Sequence, residues 1–374
     1  MGATQGYIDA NGEIHEFRYY TMNRLANSHL QWEKTTSYNW GLDFGFLNDR
    51  ITGSMEYYLM STTDMIMNQK LPGFSGFGSV TCNLGEVQNR GFELALNTVN
   101  IKRRDFEWNS SLSFSYNRNR IKHLYYNYED VLDANGNVIG TKESDDISNN
   151  WFIGRPIGSI WTYRVTGIWQ KDEVEEAAKY GQRPGDPKVW NNPANDEYNE
   201  DGTVKKIVYD NDDKVFLGQT TPPVNWSFRN EFTIKKNLTV SFNIYSKMGH
   251  KSTSTVYLNN DNSGSKVTYN YNTFVKDYWT VDNPTNTYGR LNAQGPSGVS
   301  SPSRIINRSF IRLENITVGY ALPKSWINHW GIQNASISAS VNNVAVWSKE
   351  WEYWDPETGS YAPRTFNFAL SLTL

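Results

Sequence analysis

Hydrophobic and polar side chains alternate with a period of two through much of this chain, in segments of about ten residues that end in polar turns. The last segment is the cleanest: Phe366, Phe368, Leu370, Leu372 and Leu374 share one face, while Thr365, Asn367, Ala369, Ser371 and Thr373 share the other. A helix would scatter these apolar side chains around its circumference, whereas successive residues of a strand point to opposite faces. The same alternation runs through Leu238, Val240, Phe242 and Ile244, and through Trp226, Phe228, Phe232 and Ile234, with Ser227, Arg229, Glu231 and Thr233 interleaved. It recurs at Trp108, Leu112, Phe114 and Tyr116, at Phe92, Leu94 and Leu96, at Trp40, Leu42, Phe44 and Phe46, and at Ile51, Met55, Tyr57 and Leu59. One segment changes phase, with Ile311 and Leu313 leading into Ile316, Val318 and Tyr320, which predicts a bulge near Glu314 and Asn315. Adding the segment around Ile337, Ala339 and Val341, the pattern predicts about nine strands long enough to cross a bilayer when tilted.

The connections alternate in length. Residues 46–50, 100–105 and 235–237 are short, and 323–334 is a longer turn on the same side. Between them lie long polar stretches rich in Gly, Asn, Asp and Pro near 62–87, 121–224, 250–306 and 347–363. Short turns on one side and long loops on the other are the habit of outer-membrane barrels, with the short turns in the periplasm. A β-sandwich or propeller would also alternate, but long loops confined to one side fit it poorly.

Composition narrows the choice. Charge is nearly balanced over 374 residues, with 36 basic against 39 acidic side chains, and offers no footprint for nucleic acid. With 38% hydrophobic residues, no run approaches the roughly 20 apolar residues of a membrane-spanning helix. Aromatics reach 14%, including 14 Trp and 23 Tyr, an excess expected where amphipathic rings line a membrane interface or stack on sugars. The single cysteine, Cys82, excludes an internal disulfide framework. The first residues carry neither a basic start nor an apolar export core, so Met1 is read as an internal or artificial start within something longer.

Several stretches then resemble the SusC/RagA family of TonB-linked outer-membrane proteins, in matching order over most of the chain. Leu30, Trp32 and Glu33 lead into Gly41, Leu42, Asp43 and the turn at Asn48, and Asn83, Gly85, Asn89, Gly91 and Glu93 follow within NLGEVQNRGFELAL. GRPIGSIWTYRVTGIWQ, PGDPK and DDKVFLGQTTPPVNWSFRNEF come next, and SFIRLENITVGYALPKSW, VNNVAVW and DPETGSYAPRTFNFALSLTL complete the series. The resemblance implies a roughly 22-stranded barrel with a plugged lumen. Residues 1–374 would be the C-terminal part of that all-β, transmembrane antiparallel barrel, with plug and N-terminal domains lying outside the chain. It also implies TonB-dependent nutrient import through the cell outer membrane, of glycans or oligopeptides, with a SusD-like surface lipoprotein, the TonB complex and outer-membrane lipid as partners. A TonB-dependent receptor for an iron chelate or cobalamin, and a surface adhesin that transports nothing, are the competing functions.

Candidate chemistry is sparse. The histidines His15, His29, His123, His250 and His329 keep no ligand spacing, and no catalytic site is expected. Glu197, Asn199, Asp201 and Gly202 have the spacing of a calcium loop, the one cofactor the sequence suggests, yet Val208 stands where a coordinating carboxylate belongs. Asp196, Asp210, Asp212 and Asp213 lie nearby, and a plain solvated acidic loop is the simpler reading. Trp40, Trp108, Trp226 and Trp347, near strand ends, read as girdle residues. Other rings lie deep in loops, including Trp151, Trp161 and Trp169. Of these loop rings, Trp190, Tyr278, Trp279, Trp351 and Trp354 are the candidates for ligand contact, in runs such as Lys276-Asp277-Tyr278-Trp279 and Glu350 to Asp355. Packing of loop against loop is the simpler role for each ring.

Overall fold

The computed structural model describes residues 2–20, 25–71, 73–253, 277–291, 293–299, 302, 304–352 and 354–373. Nine long strands form one antiparallel sheet: β1 (Lys34–Phe46), β2 (Ile51–Thr63), β3 (Glu86–Arg103), β4 (Phe106–His123), β5 (Val224–Ile234), β6 (Leu238–Met248), β7 (Phe310–Ala321), β8 (Asn334–Ser348) and β9 (Thr365–Thr373). Each strand pairs with its neighbours in sequence, so the sheet is a meander from β1 to β9.

The transmembrane barrel expected from the alternation is corrected by this topology. β1 and β9 are end strands with a neighbour on one side only, and among the described residues no sheet closes on itself. No described helix is long and apolar enough to cross a membrane. Alternation determines which residues are strand and which face is apolar, but closure depends on strand number, tilt and shear, about which a period of two is silent.

Turn chemistry explains the short connections. Between β1 and β2, Leu47, Asn48 and Asp49 all adopt positive φ, a region that Asn and Asp tolerate better than most residues. Lys235 and Lys236, at φ 47° and 64°, make the tight link between β5 and β6, where two left-handed residues match the twist of the flanking strands. The link between β3 and β4 is tighter than expected: β3 runs on to Arg103, leaving only Arg104 and Asp105 outside the strands. The β7–β8 connection contains the short helix Lys324–Ile327.

The predicted bulge is present. Pairing of β6 with β7 shifts between Asn243 and Ile244, and pairing of β7 with β8 shifts between Leu313 and Asn315. On β8 the irregularity falls at Asn343, whose φ of 53° turns it out of the regular pleat.

Four strands run through both of two compact units, formed by residues 1–40, 58–90 and 118–157 and by residues 41–57, 91–117 and 158–374. In the first unit, the hairpins Gly2–Ile8/Ile14–Tyr20, Ile66–Lys70/Ser79–Asn83 and Tyr128–Leu132/Val138–Glu143 accompany a small core of Val87, Ile121 and Leu124. The loops of the second unit are also folded. Ser159–Tyr163 pairs with Lys214–Gln219, Val165–Ile168 with Pro187–Val189, and Lys251–Thr253 with Ile305–Asn307.

Candidate functional site

Cross-strand register builds a polar face on the second unit, row by row. Ser111, Arg229, Asn243 and Asn315 lie side by side across β4, β5, β6 and β7. The next row is Ser113, Ser227, Tyr245 and Arg312, and the next begins Ser115, Asn225 and Lys247. Ser113 and Ser227 share a hydroxyl hydrogen bond of 2.9 Å, and Asn243 donates to Glu314 at 2.6 Å. The opposite face carries Leu112, Phe228 and Ile244 in one row and Trp108, Phe232 and Val240 in another. There Trp108 stacks on Phe232 at 5.6 Å and donates its indole N–H to the buried Asn230.

The polar face holds an open basin of about 800 Å³. Ser54 and Glu56 of β2, Glu93 of β3, and the serines, Asn243, Tyr245 and Lys247 of β4 to β6 line it, with Glu314 at the bulge and Glu357 from the β8–β9 loop. A second depression of about 380 Å³ on the same face is lined by Asn97, Ser111, Arg229 and Glu314. Hydroxyls, amides and carboxylates set among small side chains can hold a polar solute by hydrogen bonds.

The β8–β9 loop is pinned to this face. Arg312 reaches Asp355 at 2.5 Å, with side chains 6% and 5% exposed, and also donates to the side-chain Oδ1 of Asn343 that the bulge brings round. Asp355 additionally accepts the backbone N–H groups of Glu357 and Thr358 at 2.9 and 3.1 Å. Burial pushes its carboxyl pKa up, but the Arg312 hydrogen bond and these amides outweigh that and hold it below the ordinary value. Glu357 accepts from the Tyr245 hydroxyl at 2.5 Å and pairs with Lys247 at 2.7 Å. Here too burial raises the carboxyl pKa and the two partners more than reverse it.

The candidate aromatic residues separate. Trp279 is 7% exposed against Ile168, with its indole donating to Gln170 at 3.0 Å, so its ring lies in the core of the loop region. Trp190 lies beneath the Arg164 guanidinium at 5.4 Å, and Trp351 beneath that of Arg308 at 4.9 Å. Tyr278 and Trp354 remain exposed, and Trp354 lines a shallow recess with Tyr361 and Arg364. The structure does not bring the five together around one cavity. Lys276 and Tyr353 lie outside the described residues.

The acidic loop uses its carboxylates locally. Glu197 faces Lys205 and Lys206 at 3.6 and 3.5 Å, Asn199 donates to Thr203, and Asp201 accepts from the Thr203 amide and hydroxyl. Asp213 is fully buried, accepting from the backbone of Asn192 and Asp210, while Asp196 accepts from the Val208 amide. Among the described residues, three potential metal ligands converge at Asp9, Glu13 and His15, where Asp9 already caps the turn by accepting the Asn11 and Glu13 amides.

Residues that carried the resemblance have structural work. Asn83 donates to the carbonyls of Gln31 and Asp64, Asn89 accepts from Asn119, and Gly85 holds a φ of 90° where a Cβ would meet Met67 Sδ at 2.7 Å. Sequence reasoning missed Tyr245, Lys247, Arg312 and Glu357. The one visible signal for the first three was polar parity on β6 and β7, which requires the bulge to be placed before Arg312 falls on the same face as Tyr245, and Glu357, in a loop, had none.

The family profile described as "TonB dependent receptor-like, beta-barrel" matches residues 5–344. TonB-dependent receptor P26 of Formosa agariphila is 28% identical over 377 residues, covering 94% of this chain and 36% of that protein. TonB-dependent receptor SusC of Bacteroides thetaiotaomicron is 27% identical over 385 residues, covering 95% and 33%. The chain thus spans about a third of the length of these curated relatives. In fold it is similar to the structure of the RagAB peptide transporter, with a TM-score of 0.67 at 21% identity, over 99% of this chain and 38% of that one.

Proposed function

The chain belongs to the TonB-dependent receptor-like β-barrel family and is an outer-membrane protein, and on that premise we propose that it serves TonB-dependent import of oligopeptides or glycans together with a SusD-like surface lipoprotein. This is a family of transport proteins and not of enzymes.

The observation that carries the proposal is the two-faced sheet. Rows such as Leu112, Phe228 and Ile244 suit contact with outer-membrane lipid, while Ser113, Ser227 and Tyr245 on the other face suit a hydrated solute. Cargo passes along the polar face and lodges in the basin, whose hydroxyl, amide and carboxylate groups replace part of its hydration. Energy comes from the TonB complex acting through parts of the protein beyond this chain. Peptides stand beside glycans as cargo because the RagAB structure is described as a peptide transporter. The exposed Tyr278 and Trp354 are the loop aromatics best placed to meet cargo or the lipoprotein, and the buried Trp279 has a packing role.

The test is uptake by cells carrying or lacking the gene, with and without an active TonB complex, using a labelled casein-peptide pool and a labelled plant-glycan hydrolysate. Import of one pool should require both the gene and TonB, and the lipoprotein should co-purify with the protein. Uptake indifferent to TonB, or loss confined to an iron chelate or cobalamin, overturns the proposal.

A further inference from the structure

Asp355 and Glu357 stand two residues apart in one turn, yet the structure holds them in different ways. Asp355 is locked: it neutralises Arg312, accepts two amides of its own turn, and its peptide carbonyl accepts the N–H of Gly359, which sits at φ 70°. Glu357 is 28% exposed, lines the basin, and rests its carboxylate on groups supplied by the sheet: the Tyr245 hydroxyl, Lys247 Nζ and, at 3.7 Å, Arg312 Nη2.

Those sheet groups are preorganised. The Tyr245 ring packs edge-on against Phe310 at 5.8 Å and lies 5.9 Å from the Arg312 guanidinium, so its hydroxyl is aimed whether or not Glu357 is present. Because Asp355 already balances Arg312, withdrawal of Glu357 would leave an ammonium and a phenol donor at the basin wall without the carboxylate they share, while Glu314 of the same basin is engaged by the Asn243 amide at 2.6 Å. A phenol O–H and an ammonium converging on one carboxylate are charge-assisted donors, the stronger kind of hydrogen bond.

The other side of the basin carries the opposite sign. Glu93 of β3 and Glu56 of β2 line it, three and four strands from β6 in the sheet order. At about 4.8 Å per strand that is roughly 14 to 19 Å, the reach of an extended peptide of about four to six residues.

We propose that Tyr245 and Lys247 form a carboxylate-binding subsite, occupied here by the chain's own Glu357, which a short peptide takes over with its C-terminal carboxylate while its ammonium end lies toward Glu93 and Glu56. The exchange breaks no covalent bond and keeps the charge count at Lys247 constant, one carboxylate replacing another. Glu357 thereby acts as a tethered competitor that fills the subsite when no cargo is bound and sets a threshold for ligands that carry no carboxylate. The inference rests on the import reading above and narrows its cargo to peptides with a free C-terminus.

The experiment measures binding to the purified protein with its lipoprotein, by calorimetry, using penta-alanine, its C-terminal amide, and maltopentaose as an uncharged solute of similar length. Penta-alanine should bind at least tenfold more tightly than the amide or maltopentaose. Glu357→Gln should tighten penta-alanine binding several-fold, and Lys247→Met should abolish the preference for the free acid. Thermal unfolding of both variants, measured alongside, verifies that they are folded. Equal binding of acid and amide, no binding of penta-alanine, or a Glu357→Gln variant with unchanged affinity overturns the subsite. None of those results touches the import reading, because TonB-dependent uptake by cells is measured separately.

Discussion

Arg312 on β7 and Asp355 in the β8–β9 loop face each other at 2.5 Å with both side chains almost wholly removed from water, although 43 residues separate them in sequence. The bulge makes this contact possible: it sets Arg312 beside Tyr245, and it turns Asn343 so that its side chain accepts from Arg312 and donates to the Ala362 carbonyl at 2.8 Å. Asp355→Ala leaves a buried guanidinium with only the more distant Glu357 carboxylate at 3.7 Å, a loss of up to about 3 to 5 kcal/mol by the usual cost of breaking one side of such a pair. Limited proteolysis should show cleavage within residues 349–364 in this variant and not in the parent. The double change Arg312→Met, Asp355→Leu should cost less than Asp355→Ala alone, because it leaves no orphaned charge.

The same pair makes the loop acid-sensitive. Asp355 and Glu357 both titrate below their ordinary values of 3.8 and 4.5 in the folded protein. A carboxyl with a depressed folded pKa contributes stability that is present above its unfolded value and lost as pH falls through the folded one. Amide exchange at Glu357, Thr358 and Gly359 should therefore be independent of this pair above about pH 5, once the intrinsic rate is allowed for. Protection should fall progressively below pH 3.8, the ordinary value of Asp355. Asp355→Asn should remove most of that acid-dependent loss.

Gly185 is required by geometry. Its φ is +91°, and a Cβ there would lie 2.6 Å from Trp279 Cε3 and 2.7 Å from Arg290 Cβ. Gly185→Ala should loosen the packed loops by on the order of 1 to 3 kcal/mol. Faster exchange of the Arg290 and Trp169 amides, which donate to Gly185 and Asp186 carbonyls at 2.8 and 2.9 Å, would register it. Gly181→Ala is the control: its φ is +67°, but no atom stands within 4 Å of the added methyl, so the effect should be smaller.

Period-two alternation made the strands legible, since Phe366 to Leu372 can put their apolar side chains on one face only as a strand. The phase change at Leu313 and Ile316 likewise announced the bulge, because an extra residue is the simplest way to return apolar groups to one face. Closure was not legible: β1 and β9 alternate whether or not a further strand covers their free edges. Nor were the partners of Trp279, whose sequence neighbours look like exposed loop while Ile168 and Gln170 come from more than a hundred residues away. The Asp355 to Gly359 run reads as a turn from its residue types. Its partners on the sheet could not be read, since Glu357 meets Tyr245 across 112 residues and only strand register brings them together.

The most direct measurement compares the two faces of the sheet in transport. Ser227 lies in the polar basin, and Val318, 41% exposed, lies on the apolar face. Tryptophan at each position adds similar bulk, so initial uptake of the imported pool, measured at equal amounts of protein in the outer membrane, isolates where cargo travels. Ser227→Trp should slow uptake about tenfold or more, equivalent to roughly 1.4 kcal/mol on the step, while Val318→Trp should leave it near the parent rate. Equal rates in the two variants, or slowing by Val318→Trp alone, would contradict passage of cargo along the polar face.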